Sequence, residues 1–449
     1  MTSLAIRTAV LIPAWLLAIS PGAVGAQEPD TARSPLDALV REALERSPRV
    51  AAAGADARSL AERVSRAGAW EDPVLTLGFT NLRTTSLDFS DDFMTMKVVQ
   101  LGQTVPLPGQ VGHRREAAAL QSESATHLVE AVRIQVVAEV KRAYAELYYR
   151  DRALAIVDRN LAVLRGLEEV TRARYATGAS RQPAVLRAGL EIDGLEAQRV
   201  VLAESRRAAL ARLNALRDRP AGTPVGPTAL PPGLLSLLPL GAGGPGFPSA
   251  LEVGRPGASP GLPPLDSLVA RAVARKPELR AHVARIRAQE ETVDLARARR
   301  WPAPRIAVGY GQREGFPDML NASLSFGLPV FAGAKQHAAV REEREALARE
   351  RSLHDRMVRE IERDVTAAHA EVTDALGRLA LYERGILARA RANLEATIAA
   401  YRSGAEDFLA LLDSQTTLYR HELDHRRRLA DLLAAWAGLE RAVGGEITP

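Results

Sequence analysis

Two periods of apolar residues divide this chain. In the second half, Ile306, Val308 and Tyr310 alternate with Ala307, Gly309 and Gly311, and then Ala322, Leu324, Phe326 and Leu328 alternate with Asn321, Ser323, Ser325 and Gly327. In the first half, Leu75, Leu77 and Phe79 alternate with Thr76, Gly78 and Thr80, and the return stretch Met94 to Thr104 alternates less cleanly. A period of two predicts strands with one apolar face. Elsewhere Ala, Leu, Arg and Glu dominate, and no proline falls between Pro329 and Pro449. These are strong helix formers. With Gly404 as the break, they predict helices of roughly 65 and 40 residues, about 100 and 60 Å long at 1.5 Å per residue. Such helices exceed any compact domain, so they must pair in a coiled coil, a bundle or a wall. Small residues at Ala117 to Ala119, Ala367-Ala368 and Ala399-Ala400 suit close approach, as they also would in a solvated coiled coil.

The same order of elements occurs twice. Leu36-Asp37, Leu39-Val40, Ala43, Arg46 and Pro48 recur 229 positions on as Leu265-Asp266, Leu268-Val269, Ala272, Arg275 and Pro277. Trp70 and Pro73 answer to Trp301 and Pro304, Val105-Pro106-Leu107 to Leu328-Pro329-Val330, and Tyr175 with Gly178-Ala179 to Tyr401 with Gly404-Ala405. A duplication in this order predicts a mainly α fold with a small β part, each half running helix, strand, strand, long helix, long helix. The first repeat covers 27–219, with a β-hairpin at about 74–104 and a helical hairpin at about 113–218; the second covers 265–449, with counterparts at about 305–328 and 335–443. Between them, positions 220–264 hold 12 prolines and 10 glycines and read as a linker.

The N-terminus reads as an export signal, residues 1–26: Arg7, an apolar stretch from Ala9 to Ile19, then small residues at Val24-Gly25-Ala26. No later apolar run approaches the roughly 18 to 20 residues of a spanning helix, so membrane entry would require a closed barrel. Apolar residues on one strand face and small or polar ones on the other fit lipid outside and water inside. A soluble sandwich has the same period. Four strands cannot close, because membrane barrels need at least about eight, whereas three chains would supply twelve. The chain has no cysteine, which excludes disulfides, thiol catalysis and a lipidated cysteine anchor. Its 59 basic residues are interleaved with 54 acidic ones, so the net charge of +5 forms no stripe for nucleic acid.

In the duplicated Ser47-Pro48 and Lys276-Pro277 steps, the passage Gln103 to Gln110 (Gln-Thr-Val-Pro-Leu-Pro-Gly-Gln), the segments Tyr175 to Ala179 and Tyr401 to Ala405, and Leu412 to Tyr419, the sequence resembles the TolC family of outer-membrane efflux proteins over nearly the whole mature chain. The resemblance implies a homotrimer with a twelve-stranded barrel in outer-membrane lipid and a twelve-helix periplasmic tunnel. Its implied partners are a periplasmic adaptor and an inner-membrane pump. The turn at Pro106 to Gly109 looks most like the heavy-metal branch, the CzcC and CusC-like proteins; drug efflux and type I protein secretion are the rival cargo classes. The family constricts its inner end with aspartate rings after the second hairpin turn. One such position falls on Asp413, whereas the other falls on Ala410. Glu406 and Asp407 are further gate candidates, although a carboxylate near a helix N-terminus is favourable without any gate. Gly178 and Gly404 are the implied adaptor-docking tips.

His421-Glu422-Leu423-Asp424-His425 matches the zinc-protease pattern, which puts two imidazoles on one helix face. Asp424 between the ligands, Arg426 to Arg428 directly after, and Leu195 to Arg199 without histidine in the other repeat argue for an exposed tunnel helix. Met94 and Met96 are spaced to share a strand face, either as apolar wall or as soft-metal ligands. No enzyme activity, catalytic residue, cofactor or resident metal is expected. A soluble periplasmic coiled-coil scaffold is the rival from another class.

Overall fold

The computed structural model describes residues 34–84, 88–90, 92–178, 181–235, 237 and 262–447; the expected signal segment lies outside them. Where one helix was expected ahead of each β-hairpin, there are two: α1 (Pro35–Arg46) and α2 (Pro48–Gly68), then α6 (Leu265–Arg275) and α7 (Pro277–Ala298). Proline forces both breaks. Ser47 and Lys276, each preceding a proline, take φ/ψ of -59/120° and -61/121°, while the proline itself opens the next helix, where its missing N–H costs nothing.

Strands β1 (Val74–Thr80), β2 (Met96–Thr104), β3 (Arg305–Gln312) and β4 (Met319–Ser325) form one antiparallel sheet in chain order. The repeats meet where β2 pairs with β3, Leu101 opposite Val308 and Val99 opposite Tyr310. The register lines up Leu75, Leu101, Val308 and Ala322 in one row and Leu77, Val99, Tyr310 and Leu320 in the next, giving a continuous apolar face that is exposed. Thr76, Gln100, Gly309 and Asn321 share the other face. β4 stops at Ser325, short of the alternation that runs to Leu328, because Ser325 already pairs with Arg305, the first residue of β3, and Pro304 before it has no N–H to extend the ladder. Met94 sits in the turn before β2 and is exposed, while Met96 is buried with Sδ 2.7 Å from where a side chain on Gly311 would begin. The two methionines therefore do not share a strand face.

After β2 the chain enters α3 (Gln110–Ala176), 67 residues or about 100 Å, through Gly109, whose φ of 87° suits glycine. α4 (Gln182–Leu216) returns along it. In the second repeat α8 (Gln336–Leu381) passes through a π-helical turn, Tyr382–Ile386, into α9 (Leu387–Ser403), and α10 (Phe408–Val443) returns. Near the sheet α3 lies between α2 and α7, with α8 beyond α7; further away it lies between α4 and α10, with α9 beyond α10. Each level is thus a wall four helices wide.

The main core sits midway, where α1 and α6 pack on α3, α8 and α10: Leu39 with Ala43 and their repeat equivalents Leu268 with Ala272 are all buried there. The first part of the Pro/Gly-rich segment is a strap on this core. Asn214 Nδ2 donates to the carbonyls of Ala221 and Thr223 at 2.9 Å each, the Tyr144 hydroxyl both donates to and accepts from the Ala229 backbone at 2.8 Å, and one helical turn, α5 (Pro232–Leu235), buries Leu234. Lys141 Nζ lies 2.6 Å from Glu440 Oε2 with both side chains nearly buried; burial pushes the Glu440 carboxyl up, against the pull of Lys141. Partial burial also pushes the Glu42 carboxyl up, but hydrogen bonds and charge from Arg217 and Arg219 outweigh it and leave Glu42 below its ordinary value.

Candidate functional site

The sequence leaves open which way α10 faces at the candidate gate; packing fixes it. Phe408, Leu411 and Leu412 are buried, Phe408 and Leu412 in an apolar cluster with Leu161 and Leu164 of α3 and Ile192 and Leu195 of α4. Polar pins complete the lock. Asn393 Nδ2 donates to Ser414 Oγ at 3.1 Å, Gln415 Nε2 to Asn160 Oδ1 at 2.7 Å, and the Tyr419 hydroxyl to Gln198 Oε1 at 2.7 Å. Burial pushes the Tyr419 phenol up to about 12, so it remains a donor at any physiological pH. With these side chains committed to α9, α3 and α4, Asp413 is left exposed, on a stripe with Leu409, Arg420 and Asp424. A polar residue inside a helix gives no local sign of being covered, so the sequence does not single out Ser414, which is buried, or Gln415, which is partly so.

The two tips come together. Arg174, near the end of α3, stacks its guanidinium on the Tyr401 ring near the end of α9, 4.8 Å from the centroid. Gly178 and Gly404 have φ of 74° and 80°, left-handed values that favour glycine, and neither has anything within 4 Å of the place a Cβ would take. At Gly404 the chain closes α9 with Ala405 N–H donating to Ala400 O at 2.9 Å. Asp407 then caps α10, its Oδ1 accepting from Ala410 N–H at 2.9 Å. Asp407 therefore has a structural task whatever its part in a gate, while Glu406 lies exposed at the turn.

The zinc-protease pattern is engaged otherwise. Glu422 is ion-paired to Arg159 and Arg391, His425 Nε2 lies 3.5 Å from Glu383 Oε1, and His421 packs edge-on against Tyr382. No group of three metal-ligating side chains occurs among the described residues. Tyr382 opens the π-helical turn, and its hydroxyl meets Asp424 Oδ2 at 3.2 Å.

A family model described as outer membrane efflux protein matches residues 39–217 and 268–445, one stretch in each repeat. The chain belongs to the outer membrane efflux protein family. Family membership puts it in the outer membrane, with the helices extending into the periplasm. It is 27% identical over 368 residues to the outer membrane protein OprJ of Pseudomonas aeruginosa, 77% of this chain and 70% of that one. Among solved structures, the outer-membrane channel OprN superposes with a TM-score of 0.73 at 18% identity, covering 92% of this chain and 91% of its own. CusC does so with 0.71 at 16% identity and 92% of both chains. Efflux proteins of this family share the fold at identities this low because its determinants, strand alternation and helix periodicity, survive extensive substitution.

Proposed function

We propose that this efflux protein works as a homotrimer: three chains close one twelve-stranded barrel and one twelve-helix tunnel, a passive exit duct fed by a periplasmic adaptor and an inner-membrane pump. The observation that carries the reading is the sheet. One face is apolar and exposed, the other mixes polar and small residues with a few apolar ones such as Val74 and Val98, and β1 and β4 each end it with an unpaired edge. Unpaired backbone groups in hydrocarbon cost several kcal/mol each, so β4 of one copy must find β1 of the next. A head-to-tail contact of this kind gives a ring when its rotation closes.

The helical walls support the same ring. The edge helix α4 exposes Leu186, Leu190 and Val201, and the edge helix α9 at the opposite side exposes Ala388, Ala392 and Ala399. The intervals are four and eleven in α4 and four and seven in α9, sums of three- and four-residue steps as in a coiled-coil seam, and bulky knobs on one side suit small residues on the other.

In this assembly three Asp413 carboxylates converge at the inner end and form the gate, with Glu406 and Asp407 adding negative charge nearer the turn, while Gly178 and Gly404 shape the tips that receive the adaptor. The Pro106 to Gly109 turn, which suggested metal cargo, has a structural task of its own in starting α3: Gln110 N–H donates to Leu107 O at 3.1 Å and Gly109 takes the positive φ. The test is the mass of detergent-extracted protein. Three chains are expected, and a stable single chain with an intact barrel, or recovery in the soluble periplasmic extract, overturns the reading.

A further inference from the structure

Among the described strand residues, the inward face carries one charge per chain. On the polar face of the sheet the side chains are small or neutral, as at Thr76, Gln100, Asn321 and Ser323, except at Arg305, the first residue of β3. Register places Arg305 between Thr104 and Ser325, at the end of the strands nearest the helices. Its guanidinium lies across Gly102: a Cβ there would stand 2.9 Å from Nη2 and 3.0 Å from Nε, so glycine provides the space. No carboxylate is paired with Arg305 among the described residues.

We propose that Arg305 forms a cationic ring at the base of the barrel that favours cargo with accessible anionic groups, carboxylate, phosphate or sulfate, over cations. This rests on the trimer reading above, since one guanidinium on an open sheet makes no ring. Twelve strands about 4.8 Å apart and tilted about 40° close on a radius of about 12 Å. A guanidinium lying on that wall is about 8 Å from the axis, roughly one Debye length at physiological salt. Three such charges in water, screened over that length, enrich a monovalent anion on the axis about 2.6-fold and deplete a cation equally, an anion-to-cation preference of about sevenfold. No carboxylate occupies an inward position within the described strands; Glu71 and Asp72 lie just ahead of β1 at the same end, so the preference of about sevenfold is that of the three guanidiniums alone. The ring lies at the far end of the helices from Asp413, so cargo meets a negative constriction first and a positive one at the barrel.

The absence of cysteine makes a local test available. Ser323→Cys puts one thiol per chain on the inward face, two positions along β4 from the residue paired with Arg305. Its rate of modification is measured with an anionic sulfonatoethyl and a cationic trimethylammonioethyl methanethiosulfonate on the full-length protein in detergent. The anionic-to-cationic rate ratio is expected to fall about sevenfold on adding Arg305→Gln, to persist with Arg305→Lys, and to collapse between about 0.15 M and 1 M salt. A trimer whose ratio changes less than about twofold with Arg305→Gln, or drops equally with Arg305→Lys, overturns the ring while leaving the duct standing. A Ser323→Cys protein with the mass of one chain overturns both.

Discussion

Adjacent residues of β2 should respond oppositely to the same substitution. Leu101 belongs to the middle row of the apolar face, between Leu75 and Val308, and is 54% exposed in the single chain. Gln100 beside it faces the other way, between Thr76 and Gly309. Near the bilayer midplane an arginine on the lipid face costs about 2 to 4 kcal/mol, whereas on the lumen face it stays in water. Leu101→Arg should therefore lower the folding equilibrium by a factor of about 30 to 700 per chain, at 1.4 kcal/mol per decade, and threefold more in kcal/mol for a trimer that contains it three times. Gln100→Arg has room, because the missing side chain of Gly309 would begin 3.5 Å from the Gln100 Cβ. Refolding into lipid vesicles against urea would measure both, with the exposed Trp70 and Trp301 beside the strands as fluorescent reporters. Equal midpoints for Leu101→Arg and Gln100→Arg would refute the assignment of lipid to the apolar face.

Asp413→Asn should reduce cation selectivity and weaken divalent-cation block in single-channel recordings, because like charges converging on an axis attract counterions; unchanged selectivity would leave Asp413 an ordinary solvated aspartate. Gly404→Val should abolish efflux with the trimer intact, the left-handed φ costing about 1 to 2 kcal/mol at a tip that bears little of the core; normal adaptor crosslinking together with full efflux would remove the docking role. Tyr144→Phe should destabilise each chain by about 0.5 to 1.5 kcal/mol, since the hydroxyl that ties the Ala229 backbone to the core is lost, and an unchanged denaturation midpoint would mean that the strap contributes nothing.

Much of this architecture is local and therefore legible in the sequence. The period of two in Ile306 to Tyr310 and Leu75 to Phe79 specifies strands with an apolar face, the proline-free run specifies long helices, and Gly178 and Gly404 mark turns because a left-handed φ favours glycine. The ordered duplication told that the same unit is built twice. Tertiary structure decided what depends on a partner remote in the chain. Where β4 ends is set by where β3 begins at Arg305, and the joining of the repeats is set by β2 lying against β3. A π-helical turn at Tyr382 joins α8 to α9 while α3 runs on without one, though both stretches are read alike as strong helix. At the gate, Asp413 and Ser414 are adjacent polar residues on one helix, and only the contacts of Ser414 with Asn393 and Thr397, and of Gln415 with Asn160, turn one of them inward and leave the other exposed. A helix of 3.6 residues per turn has a period in its sequence, but which side of it is covered on every flank is fixed by the helices packed against it.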